Sequence, residues 1–292
     1  RIHVDYEEIT DANALKEIHW FLLIYLIYLI VNLLVLAGFY YHGNSFPQAI
    51  YECLKKQFFI VLVSMVLKSI GKFVVLAISK NFHNSHAYAS TNAFVGTAFL
   101  TSYVFMFCMM MSGLPAQPVP VTIQDTTVII GESKASELLE QGFTFEDKGA
   151  NSPITNPKND HFYYGQLLEI KREDQSYGFM ILTPTGKDTD QLKNCVITYY
   201  RTPKDAHQLQ GISINHVSLA NLKLQDFQTR KLIDIFEVNP ADYNVAETDS
   251  NYILTIQTAD YDLWKRYRIE AKFNSDGSID SYGVRAQHSM WE

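Results

Sequence analysis

Three long apolar runs occupy most of the first 113 residues, and no comparable run follows them. The runs are Trp20–Tyr41, Phe58–Ser79 and Thr91–Ser112. Each has about the 20 residues that a helix rising about 1.5 Å per residue needs to cross ~30 Å of hydrocarbon. The sequence therefore predicts a transmembrane domain of three helices over 19–112, followed by a large water-facing domain.

The basic residues around these runs predict how the chain is oriented in a membrane. With the N-terminus inside, the outer side carries only Lys55 and Lys56. The inner side then carries five basic residues: Arg1, Lys16, Lys68, Lys72 and Lys80. This excess predicts a cytoplasmic segment at 1–18, a multi-pass protein of the cell membrane and an extracytoplasmic C-terminal domain. Because Cys195 is the only cysteine after residue 112, no disulfide can form within that domain, which favours a bacterial cell envelope.

Two lysines interrupt the second apolar run. Lys68 and Lys72 are four residues apart and share one face of a helix. None of the three runs contains an Asp or Glu to pair with them. One interpretation is that both side chains extend to the cytoplasmic headgroups, and another is that they meet an acidic partner or an anionic ligand. A third is that this helix lies partly in the membrane interface.

The third run carries small and hydroxyl-bearing residues at helical spacing. Ala93, Thr97 and Thr101 recur every four residues, and Gly96 lies beside them. Such a stripe allows a neighbouring helix to approach closely. The sequence therefore predicts helix packing along this stripe, with a membrane or envelope protein as partner.

The C-terminal region is acidic and shows no catalytic motif. Residues 113–292 contain 17 Lys and Arg against 25 Asp and Glu, which argues against a nucleic-acid partner. Nucleophile, zinc and phosphate-loop motifs are absent from the sequence, and Cys195 lies in an apolar strand pattern. We expect no enzymatic activity, no cofactor and no metal.

A proline-rich linker, 113–120, precedes an α+β region that runs through one pattern twice. The predicted repeats are 121–205 and 206–292, and each contains a strand, a helix and three antiparallel strands. The first helix is predicted at Lys134–Gln141, capped by Ser133 and closed by Gly142. The second begins at Asp226 and continues through Phe236. The predicted strands are about Phe162–Lys171, Tyr177–Pro184, Cys195–Tyr200, Tyr252–Thr258, Trp264–Phe273 and Ile279–Gln287.

This arrangement of 121–290, with Gly131-Glu-Ser-Lys-Ala-Ser-Glu-Leu-Leu-Glu-Gln-Gly-Phe143 before an antiparallel sheet and a second copy after it, resembles the tandem repeat of β-lactamase-inhibitor-protein-like domains. The resemblance implies a twisted sheet with helices on one face and a protein partner on the other. It carries no binding residue over to this chain. Candidates for the open face are five tyrosines: Tyr163, Tyr199, Tyr252, Tyr267 and Tyr282.

The function that these patterns favour is a membrane-anchored extracytoplasmic binding module. It would act as an accessory, sensory or inhibitory subunit that recognises a protein or peptide. Two alternatives remain open: a small transport or channel subunit with Lys68 and Lys72 on an anion path, and a structural envelope protein.

Overall fold

The structure, a computed structural model, describes residues 46–78, 89–156, 165–203, 206–259 and 263–288, with scattered positions between 19 and 42. Its internal contacts divide the chain into two compact units. The first is Arg1–Met111 and the second is Ser112–Glu292.

Two long helices dominate the described part of the first unit. Helix α1 is Phe46–Ile78 and α2 is Ala89–Ser112. Their side chains meet at Phe58, whose ring centroid lies 5.3 Å from that of Tyr103 and 5.7 Å from that of Phe107. Positions 30–38 of the first apolar run are also helical.

The prediction of transmembrane helices is wrong. Over the residues that the structure describes, no helix is long and apolar enough to cross a membrane. An apolar run predicts a helix, but polar residues in the same helix decide whether it can span hydrocarbon. Helix α1 begins at Phe46, before the predicted run, and its added turns contain the ion pair of Glu52 with Lys55 at 3.0 Å. The predictions of a multi-pass membrane localisation and of its orientation depended on these helices and are wrong as well.

The second unit is α+β. Its helices are α3 (Ala135–Glu140), α4 (Leu224–Thr229) and α5 (Leu232–Ile235). Its strands are β1 (Pro120–Ile123), β2 (Thr126–Ile129), β3 (Thr144–Phe145), β4 (Pro153–Thr155), β5 (Gln166–Arg172), β6 (Gln175–Thr183), β7 (Thr189–Gln191), β8 (Val196–Arg201), β9 (Ile212–Ile214), β10 (Val217–Ser218), β11 (Tyr243–Glu247), β12 (Asn251–Ile256), β13 (Arg266–Phe273) and β14 (Ile279–Gln287).

The largest sheet has eight antiparallel strands in the order β11-β12-β13-β14-β8-β6-β5-β3. Strands β8 and β14 pair at its centre. The first half of the unit supplies β8 and the three strands beyond it, and the second half supplies β14 and the three strands beyond it. A four-stranded sheet, β10-β9-β1-β2, is likewise joined at its centre by β1 and β9. Both sheets therefore place the same order of elements on either side of a central pair. A third sheet pairs β4 with β7.

Each half opens with a hairpin where the sequence predicts one strand. The turn between β1 and β2 contains Gln124 at φ +58°, and the turn between β9 and β10 contains Asn215 at φ +46° and His216 at φ +69°. Asn is among the non-glycine residues that best tolerate this left-handed conformation, whereas Gln gives no such signal. The Gln124 amide donates to the carbonyl of Gly211 at 2.7 Å, which ties the two hairpins together.

The helices are shorter than predicted. The helix predicted at Lys134–Gln141 covers Ala135–Glu140, and the Lys134 amide donates to the Glu137 carboxylate at 2.9 Å. The helix predicted from Asp226 is two helices, because Arg230 has an extended backbone with φ −120° and ψ 153°. These short helices bury apolar side chains such as Leu138 and Phe227 against the sheets.

One core connects both halves of the second unit. Alternate residues of β13, from Tyr267 to Phe273, are buried, while the residues between them are partly exposed or exposed. This alternation gives the eight-stranded sheet an inner face, which packs in the core, and an outer face toward solvent. Phe227 lies among the rings of Phe236, Tyr252, Phe273 and Tyr282, with centroid distances of 5.1 to 6.2 Å.

We predict that Tyr200→Phe destabilises the second unit by about 1–3 kcal/mol. The buried Tyr200 hydroxyl donates to the Tyr177 carbonyl at 2.8 Å, and its loss leaves that carbonyl without this bond. Denaturant unfolding of the full chain measures the change. Tyr243→Phe, at a half-buried tyrosine, is the control and should stay within about 0.5 kcal/mol. Equal effects of the two substitutions would contradict the role given to the Tyr200 hydroxyl.

Candidate functional site

The outer face of the eight-stranded sheet carries aromatic rings and arginines on neighbouring strands. Phe179 of β6 lies directly across from Arg201 of β8, and Tyr199 of β8 lies directly across from Arg285 of β14. All four side chains are partly exposed. The pairs are adjacent because β8 is hydrogen-bonded to both β6 and β14.

Each of these arginines lies over an aromatic ring. The Arg201 Cζ is 5.0 Å from the centroid of Phe179, and the Arg285 Cζ is 4.4 Å from that of Tyr199. Both distances fall within the ~6 Å at which a guanidinium is attracted to a ring face. Stacking therefore restrains two long side chains that would otherwise sample many rotamers.

Gly283 provides the space in which the Tyr199 ring lies. It is opposite Arg201 on β8 and opposite Glu270 on β13. A Cβ atom at Gly283 would be 3.3 Å from both Cε2 and the hydroxyl of Tyr199, closer than ordinary contact. The Tyr199 ring therefore packs directly on the strand backbone between Arg201 and Glu270.

A third arginine completes what we call the arginine cluster: Arg201, Arg268 and Arg285. Arg268 of β13 lies directly across from Arg285, and its Nε is 2.6 Å from the Glu270 carboxylate. Side chains directly opposite each other in antiparallel strands are about 5 Å apart at Cβ, and like charges at that distance repel. The cluster contains three positive charges, and the carboxylates on the same face include Glu270 and Glu169, which lies across from Phe179.

The environment of Tyr199 follows from these neighbours. Burial raises the pKa of its hydroxyl, and the negative charge of Glu270 acts in the same direction. Arg285 and Arg201 oppose this rise, and Arg285 does so partly through a hydrogen bond to the hydroxyl. Because the pKa lies above the usual value near 10, Tyr199 is a neutral hydroxyl at physiological pH.

Apolar side chains border the cluster on both sides. Ile181 and Leu167 continue the row of Tyr199 across β6 and β5, and Leu167 is 49% exposed. On the opposite side, Ile253 of β12 lies across from Glu270. The outer face therefore has a charged centre with apolar margins.

The five predicted tyrosines do not share one face. Tyr252, Tyr267 and Tyr282 are buried on the inner face, with at most 5% of their surface exposed. Tyr163 lies outside the described residues. Tyr199 is thus the described member of the set that the outer face presents. Its partner Arg285, and the pair of Phe179 with Arg201, escaped sequence reasoning. The alternation along β13, which places Arg268 and Glu270 on the same side of the strand, was the one sequence signal for this outer face.

The candidate residues of the first unit lie on helices α1 and α2. Lys68 and Lys72 lie in α1, and their side chains fall outside the described part of the chain. Ala93, Gly96 and Thr97 lie in α2, and their side chains also fall outside the described part of the chain. Thr101 of the same helix is exposed. The anion path through Lys68 and Lys72 and the helix-packing stripe stay predictions.

In the described parts of the chain, no group of three or more His, Cys, Asp or Glu side chains is placed to hold a metal ion. Comparisons with protein-family models, with curated proteins and with solved structures found no match to this chain. The outer face is therefore the candidate site on its own geometry.

We predict that Cys195 reacts with a thiol reagent only when the second unit unfolds. Burial raises the pKa of this thiol to about 12, and its Sγ lies 3.4 Å from the Gln191 carbonyl. In a Cys53→Ser, Cys108→Ser chain, labelling at pH 8 should be about 100-fold slower or more without denaturant than with it, because the thiolate is the reactive form. Rapid labelling of the folded chain would show that Cys195 is accessible.

Proposed function

We propose that this chain is a binding module that recognises a protein or peptide partner through the outer face of its eight-stranded sheet. The observation that carries the proposal is the pair of aromatic–arginine stacks, Phe179 with Arg201 and Tyr199 with Arg285. They lie side by side on a solvent-facing surface of a rigid sheet.

The residue types of the outer face support this role. Tyr and Arg are among the residues that contribute most to binding at protein interfaces, because they combine a large contact area with directional hydrogen bonds. The stacks also restrain both arginines before binding, which lowers the entropy lost when a partner orders them.

Alternation along the strands supplies a second argument. The inner face of β13 is fully used by the core, so the outer face is the one left to contact solvent or a partner. A sheet also holds its side chains at fixed spacings across strands, and sites on such elements are more precise than sites on loops.

We expect a photo-reactive benzoyl-phenylalanine at position 199 to cross-link one dominant protein in the native host. The aromatic replacement keeps the ring in the stack, which places the reactive group at the centre of the face. The same group at Glu140, an exposed position of α3, is the control and should give no such product. Gel analysis and mass spectrometry of the cross-linked species measure the result.

Gly283→Val tests the shape of the face without changing its charge. The added side chain crowds Tyr199, so the yield of the cross-link to the partner should fall about 10-fold, while the strand tolerates valine. Identical products from positions 199 and 140, or none from position 199, would refute the proposed function.

A further inference from the structure

We propose that the arginine cluster binds a carboxylate-bearing peptide segment, so that the partner presents Asp or Glu side chains flanked by apolar residues. This inference rests on the proposed function and names the chemistry of its partner. It follows from the charge, the orientation and the margins of the outer face.

The first argument is charge. Residues 113–292 carry a net charge of −8, yet Arg201, Arg268 and Arg285 lie together on the outer face, with Glu270 beside them and Glu169 on the far side of Phe179. Arg268 and Arg285 are cross-strand neighbours, a placement that costs stability through repulsion. A carboxylate from outside removes this repulsion, and Glu270, already 2.6 Å from Arg268, neutralises only part of it.

The second argument is the geometry of the guanidinium groups. The Arg201 Cζ lies 5.0 Å from the Phe179 centroid and the Arg285 Cζ 4.4 Å from the Tyr199 centroid, and a planar guanidinium carries its N–H groups around its edge. Carboxylates accept two parallel N–H bonds from that edge. Arg201 and Arg285 are diagonal neighbours across the pair of β8 and β14, and the Tyr199 ring packs against Gly283 on the other diagonal.

The third argument is the margin of the cluster. Leu167, Ile181 and Ile253 border it, so a ligand that contacts the arginines also covers apolar surface. This combination fits a peptide with acidic and apolar residues. The acidic charge of the unit as a whole disfavours the other polyanion class, nucleic acid, whose binding depends on many phosphate contacts.

The test selects random-sequence peptides, displayed on phage, on the immobilised full chain. The same selection is run on the Arg201→Gln, Arg268→Gln, Arg285→Gln variant. The matched control, Lys187→Gln, Arg230→Gln, Lys231→Gln, also removes three positive charges, all at exposed positions away from the outer face. Near-ultraviolet circular dichroism and thermal unfolding compare the folding of the three chains.

We expect peptides selected on the unchanged chain to be enriched in Asp and Glu next to aliphatic or aromatic residues. A synthetic copy of the most enriched peptide should bind the cluster variant about 10-fold more weakly or worse, and bind the control within about 2-fold. Single substitutions Arg201→Gln and Arg285→Gln, each with intact folding, should show part of the loss if the triple variant proves unstable.

Three outcomes would overturn the inference, and they separate it from the proposed function. If the selected peptides lack acidic enrichment but bind the Gly283→Val chain poorly, the outer face is a binding site and the inferred carboxylate partner is wrong. Peptides that bind all variants equally would remove both. Failure to enrich any peptide would also count against a linear acidic segment, while the cross-link at position 199 would decide separately whether the face binds a folded protein.

Discussion

The antiparallel pairing of β8 with β14 is the interaction on which the rest of the second unit depends. It joins Gly283 to Arg201, Val284 to Tyr200 and Arg285 to Tyr199, and it makes one eight-stranded sheet from two sets of four strands. Without it each set would expose a strand edge with unpaired amide and carbonyl groups, which invites pairing with other chains. The four-stranded sheet is joined in the same way, because β1 and β9 pair at its centre. Both pairings connect residues far apart in sequence, so neither sheet is complete until both halves have folded.

The sequence predicted the strands of the second half better than the surface that they form. Strand β13 alternates apolar and charged residues, and the structure places Tyr267, Ile269, Ala271 and Phe273 on one side as that alternation requires. The same alternation assigns Tyr267 to the core, which is why grouping it with Tyr199 in a binding face was wrong. Aromatic content indicates packing as readily as recognition, and only the register decides between them. Resemblance to the β-lactamase-inhibitor-protein-like repeat stays a prediction.

The remaining features depend on contacts that no local pattern encodes. Gln124 takes a left-handed backbone because Gly211, far along the chain, accepts the hydrogen bond of its amide. Arg201 reaches Phe179, and Arg285 reaches Tyr199, only because two long-range strand pairs have the registers observed. The transmembrane prediction failed for a related reason. It considered only the length of each apolar run. Helix α1 begins before its run, at Phe46, and the added turns contain polar residues.

Neither half of the second unit contains the candidate site by itself. Phe179, Tyr199 and Arg201 come from the first half, while Arg268, Glu270 and Arg285 come from the second. Their charges and rings meet across the same central strand pair that completes the sheet. A change that weakens this pairing would therefore separate the two stacks as well as expose strand edges. The surface that we propose for recognition exists only in the fully assembled sheet, which couples partner binding to completion of the fold.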